Sequence, residues 1–257
     1  MNTFKYSFKA AGIAAVTTLA MSTSAQALTL DTTFLQANSV FALSQDALDA
    51  MSAASTSMSA LGNATAAAST KSSTGDLLPA FNLPVTKVDV SLGLPPFSPL
   101  VSPNSGDASG SALAITRGSK SVVLANFVID YSKDLVLADI TSNGVTTKNT
   151  SLYSFTATDL KIGLNGLTLN MHQQLSNLMF TDSALASFTS GLNLSKALAT
   201  PLKTLDFGTI TIDINGALRS PINATPYTAA VPEAPPAAML GLGLCGIALV
   251  ARRKMKA

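Results

Sequence analysis

The chain has 257 residues, a formal charge of +2 and only 12% charged residues, a length that allows one large domain or two small ones. Six of its 16 basic residues sit at the ends (Lys5, Lys9, Arg252, Arg253, Lys254, Lys256), and Glu233 is the sole glutamate, so the body between holds 10 basic residues against 13 aspartates. A body without a basic stripe excludes a nucleic-acid binder. The single cysteine, Cys245, excludes a disulfide framework and a cysteine metal site in the body.

Residues 1–27 read as a secretory signal peptide. Lys5 and Lys9 form a basic n-region, Ala10 to Met21 a short apolar run, and Ala25-Gln26-Ala27 a small-x-small cleavage site. The run is too short to span a bilayer permanently. Cleavage after Ala27 by signal peptidase, downstream of the secretory translocon, leaves a chain starting at Leu28.

Residues 28–76 read as an N-terminal helical segment followed by a loop. Ser44 is an N-cap with Asp46 in the first turn. Leu48, Met51, Ser55, Met58 and Leu61 recur at helical spacing, and Gly62-Asn63 reads as the stop. The Ala/Ser/Thr/Gly-rich stretch 63–76 reads as loop.

Residues 77–216 read as a β-rich domain. Strand candidates are Lys87–Leu92, Ala112–Thr116, Ser121–Asp130, Leu135–Thr141, Ser151–Thr158, Lys161–Asn170 and Thr204–Ile214, several alternating apolar with polar. Asn165-Gly166 marks a turn or bulge inside the sixth. Ser121–Asp130 and Leu135–Thr141, joined by Tyr131–Asp134, form the clearest hairpin. Residues 93–111, rich in Pro, Ser and Gly, read as a long loop. A second helix starts at Thr181-Asp182, with the same cap, acid and Ala-Leu order as Ser44–Met51. The expected fold is mainly β (α+β): an antiparallel β sandwich or barrel-like domain with two accessory helices, plus a C-terminal transmembrane helix. Residues 217–230 read as a linker.

The chain ends in three parts. Val231-Pro232-Glu233-Ala234-Pro235-Pro236 precedes an apolar run to Ala251 with glycines at Gly241, Gly243 and Gly246, and Arg252-Arg253-Lys254 follows. The run, assigned to a transmembrane helix over 236–251, is at the short end for a span. The basic cluster keeps its side in the cytoplasm and the body outside. This tripartite pattern resembles the PEP-CTERM sorting signal of Gram-negative bacteria, covering residues 231–257. Val231, Pro232 and Glu233 match its motif, while Ala234 stands where its second proline falls. The resemblance implies transient recognition and cutting by exosortase, anchoring in the inner membrane before the cut, and then the cell surface, the outer envelope or an exopolysaccharide matrix. Phe81–Thr86, Gly110–Leu113 and Val123–Asp130 are distantly similar to the HtaA-type domain of surface haemin-binding proteins. No haem-binding role is carried over to any residue.

Catalytic signatures are scarce. The one histidine, His172, lacks an evident orienting partner or nucleophile. No nucleophile elbow, P-loop, dinucleotide fingerprint or zinc-protease motif occurs. A glycosidase would need two of the aspartates in suitable geometry. Asp130, Asp134 and Asp139 surround the hairpin and suit either a hard cation or ordinary turn chemistry, the latter being the commoner use. Tyr131 reads as an exposed hairpin-tip aromatic. The function expected is a non-catalytic surface or matrix protein without cofactor. The alternatives are a secreted module binding haem or a divalent cation, and a polysaccharide-acting enzyme using paired aspartates.

Overall fold

The computed structural model describes residues 26–71, 75, 77–93, 101–165 and 168–230. Antiparallel strands dominate them and form one curled sheet. In chain order the elements are β1 (Gln26–Asp31), β2 (Leu35–Leu43), α1 (Gln45–Ala53), β3 (Ser57–Gly62), β4 (Thr65–Lys71), β5 (Leu77–Pro84), β6 (Lys87–Leu92), β7 (Val101–Arg117), β8 (Lys120–Asp130), β9 (Leu135–Ser142), β10 (Val145–Asn165), β11 (Thr168–Phe180), α2 (Asp182–Gly191), α3 (Lys196–Ala199) and β12 (Gly208–Leu218). A 3₁₀ turn spans Pro201–Lys203. The sheet runs β1-β6-β7-β8-β9-β10-β11-β12-β2-β5-β4, with β3 on β7.

Alternation drives the curl. On β2, Ala37, Ser39, Phe41 and Leu43 face inward; on β12, Ile210, Ile212 and Ile214 do the same between exposed or half-buried polar residues. Their inward faces meet Val122, Leu124, Phe127 and Ile129 of β8 and Val136, Ala138 and Ile140 of β9 in one core. Toward the helical end, Phe41, Tyr153, Phe180, Phe188 and Phe207 form an aromatic cluster, with Phe180 and Phe207 centroids 4.1 Å apart.

Both main helices close that end by the same local chemistry. Ser44 and Thr181 accept a hydrogen bond from the amides of Ala47 and Ala184. Both helices end in a Schellman motif, with Ser55 (φ 51) and Asn193 (φ 49) left-handed. Thr56 N–H donates to the Met51 carbonyl and Leu194 N–H to that of Thr189. Neither helix has a basic residue in its last turn. Arg117, at the end of β7, supplies the charge to both: Nε donates to Ala54 O (2.9 Å) and Nη1 to Leu192 O (3.2 Å) and Asn193 O (2.8 Å).

The expected helix over 44–62 is therefore corrected: it stops at Ala53. Met58 and Ala60 also fit a period of two, and they pair with Ile115 and Leu113 across β3 and β7. The stretch 63–76, expected to be loop, contains β4, which pairs with β5. The loop expected over 93–111 gives way to β7 from Val101, where Pro103 sits at a bulge opposite Val90. The candidate Lys161–Asn170 is not one strand: β10 ends and β11 begins within it, with Asn165 paired to Thr168. Strand Lys87–Leu92 and the hairpin from Ser121 to Thr141 fall where the alternation put them. Among the described residues no helix is long and apolar enough to cross a membrane. The segment 236–251 lies outside the described residues.

Three segments switch neighbours at one place. After β1 the chain moves from β6 to β12 and β5; after β3, from β7 to β5; after β5, from β2 and β4 to β1 and β7. Backbone bonds join the crossings: Thr32 N–H to Thr86 O (3.0 Å), Val85 N–H to Ala37 O (2.9 Å), Thr86 N–H to Asp107 O (2.7 Å) and Asn63 N–H to Gly110 O (2.9 Å). This seam is where the two ends of the curled sheet meet.

Candidate functional site

The segment Arg219–Ala230 follows β12 and lies along the seam. The linker expected from residue 217 starts later, because β12 continues to Leu218; the segment runs over the surface, mostly exposed, but is pinned there by hydrogen bonds. The Arg219 guanidinium has no carboxylate partner among the described residues and reads backbone carbonyls. Nη1 donates to Ala37 O (2.8 Å) and Asn38 Oδ1 (3.3 Å), Nη2 to Val85 O (2.7 Å) and Thr32 O (3.0 Å), and Nε to Thr33 O (3.3 Å). Arginine's planar fork suits this, reaching several carbonyls at once. Burial lowers its pKa below the ordinary value.

Further along, Asn63 Nδ2 donates to Asn223 O (2.6 Å). Asn126 then takes hold of Tyr227 as a strand would: its Oδ1 accepts from Tyr227 N–H (2.7 Å) and its Nδ2 donates to Tyr227 O (3.0 Å). The same side chain accepts from Gly110 N–H (3.1 Å) and donates to Asp139 Oδ2 (2.9 Å), so both of its polar atoms are used fully. Asn126 is left-handed (φ 54) at the point where the β8–β9 register shifts, and this bulge aims its amide outward. Gly62 (φ +61) and Gly110 (φ +80) leave room for the passing segment. A Cβ on Gly110 would lie 2.9 Å from Asn223 O, and one on Gly62 would lie 2.9 Å from the Tyr227 ring. Ala229 is buried at the end of this strap.

Beside the strap, β1, β6 and β7 carry a polar ladder on their outer face. Asp31, Lys87 and Asp107 stand in one cross-strand row, and Thr29, Asp89 and Ser105 in the next. Lys87 lies 3.0 Å from Asp107 and 3.6 Å from Asp89. Thr29 and Ser105 donate to the two oxygens of Asp89 at 2.6 and 2.8 Å. These hydroxyl bonds, Thr29 first, hold Asp89 below the usual carboxylate range, and the Asp107 carboxylate raises Lys87. A cleft of about 380 Å³ opens here, lined by Thr29, Asp31, Thr33, Thr86, Lys87, Asp107, Ser109 and, from the strap, Ala224.

The other sequence candidates are not brought together. Asp130 is occupied by Ser132 and by Lys133 Nζ at 2.7 Å. Asp139 accepts from Asn126 and from Asn149 N–H (2.9 Å). Asp134 sits left-handed (φ 53) in the hairpin turn. No group of three metal-ligating side chains occurs among the described residues. Tyr131 is corrected from an exposed tip residue: its ring packs edge-on against Phe155 at 6.1 Å, and burial pushes its hydroxyl pKa up. His172 has an orienting partner after all. Its Nδ1 lies 2.6 Å from Asp213 Oδ1 across β11 and β12, and both side chains are exposed. The cavity between Met171, Ile212, Phe127 and Val88 holds about 30 Å³, room for a water molecule or two. Small-ligand pockets are typically about 300–1,000 Å³.

Ala27 lies in β1, opposite Ser91. Ala25, the motif residues Val231, Pro232 and Glu233, and the basic cluster Arg252, Arg253 and Lys254 lie outside the described residues. The strap and its anchors Asn63, Asn126 and Arg219 are not legible in the sequence, because no local pattern announces a side chain that pairs with backbone 101 to 187 residues away. Comparison with protein-family models, with curated proteins and with solved structures found no match.

Proposed function

We propose that the chain is an exported, non-catalytic surface or matrix protein, sorted by its C-terminal signal and cut by exosortase. One observation carries this reading: a proline-glutamate motif, an apolar run and a basic cluster follow one another directly after residue 230, and the strap anchors the chain to the body just before them, through Tyr227 and Ala229. A cut at the motif would thus remove an address and leave the folded body whole. Association with exopolysaccharide draws support from the polar cleft, whose hydroxyls, carboxylates and Lys87 are the groups that hydrogen-bond sugar hydroxyls. The apolar cavity between Met171, Ile212, Phe127 and Val88 is far smaller than a haem.

The test is the intact mass of the protein from wild-type cells and from cells lacking exosortase. The expected product has lost residues 1–27 and the tail in the wild type, and keeps the tail, in the membrane fraction, in the deficient strain. The same mass and the same distribution in both strains would overturn the reading.

A further inference from the structure

The strap changes the length of the tether. A free linker from residue 217 would leave 20 residues between the body and residue 237, an extended reach of about 70 Å. With Tyr227 held at both its N–H and its carbonyl and Ala229 buried, only residues 231–236 remain between the described body and the apolar run. Six residues reach about 20 Å at most.

We propose that, in the uncut precursor, the body is held against the outer leaflet of the inner membrane by its strap-bearing face, so that lipid headgroups are the partner of the surface around Asn126, Asp139 and Lys148. The inference rests on the membrane reading of the tail and adds an orientation to it. The face is defined by contacts: the strap crosses β7 and β8, Asn126 bonds Asp139 on β9, and Asp139 accepts from the amide of Asn149, beside the exposed Lys148. Lys161 is also exposed but lies toward the far end of β10, opposite His172. The two lysines therefore probe the near and far ends of one strand.

The experiment uses the full chain carrying Cys245→Ala, reconstituted into vesicles of phosphatidylethanolamine and phosphatidylglycerol that contain headgroup-nitroxide lipid. A thiol-reactive fluorophore is placed at Lys148→Cys or Lys161→Cys. The label at position 148 is expected to lose most of its fluorescence to the nitroxide, and that at 161 to lose little. Adding Asn63→Ala and Asn126→Gly releases the strap while glycine keeps the left-handed backbone; the contrast between the positions should then shrink. Equal quenching at both positions in the intact chain overturns the orientation while leaving the membrane reading standing. A chain that does not float with the vesicles overturns both. An undiminished contrast in the released variant overturns the role given to the strap.

Discussion

Arg219→Ala tests whether the seam depends on the strap. The substitution removes five hydrogen bonds, three of them at 3.0 Å or shorter, to Ala37 O, Val85 O and Thr32 O. Each of these three carbonyls keeps another donor: Val85 N–H, Thr32 Oγ1 and Leu35 N–H respectively. None is therefore orphaned, and the loss per short bond is about 1 kcal/mol, below the range for bonds to a charged group. Three such losses give about 3 kcal/mol, and a domain of this size shifts by about 2–4 °C per kcal/mol. The melting temperature of residues 28–230 should fall by about 6–12 °C, read by circular dichroism. Arg219→Lys, which keeps the charge and loses the fork, should recover less than half of that. A fall of less than about 2 °C for Arg219→Ala would correspond to under about 1 kcal/mol, and would show that the seam holds without the guanidinium.

Residues 28–230, without the C-terminal tail, should fold cooperatively with a β-type spectrum, whereas residues 28–218 should be markedly less stable. Aggregation of the first would make the tail a structural element. Arg117→Ala removes the charge shared by two helix ends and should cost about 2 kcal/mol, measured by urea unfolding; an unchanged midpoint would refute the shared cap. Asp89 is depressed in the folded chain, so its contribution is present above the ordinary value of 3.8 and is lost as pH falls through the lower folded value. Stability should therefore drop below about pH 4, and Asp89→Asn should flatten that drop while lowering stability at neutral pH. A parallel acid profile in the variant would refute the assignment.

What sequence alone determined about this protein is local. Hydroxyl caps at Ser44 and Thr181, alternation along β6, β8 and β9, and the four-residue turn of the hairpin are chemistry within a few residues of themselves. They need no partner to be legible. The three-part pattern at the C-terminus, on which the proposed sorting rests, is readable in the same way, since its parts are contiguous. The tertiary structure decided everything that depends on a neighbour distant in sequence. Helical spacing at Met58 and Leu61 gave way to pairing with β7, and Ser55 entered the left-handed region without a glycine to signal it. The Ala-rich β4 and the Pro- and Ser-rich start of β7 have weak strand propensity of their own and became strands because β5, β6 and β8 offered backbone partners. Arg219, Asn63 and Asn126 look like ordinary polar residues until the curled sheet brings its crossings together. Only then do carbonyls and amides from three chain segments lie within reach, and a stretch that reads as linker becomes the strap that closes the seam.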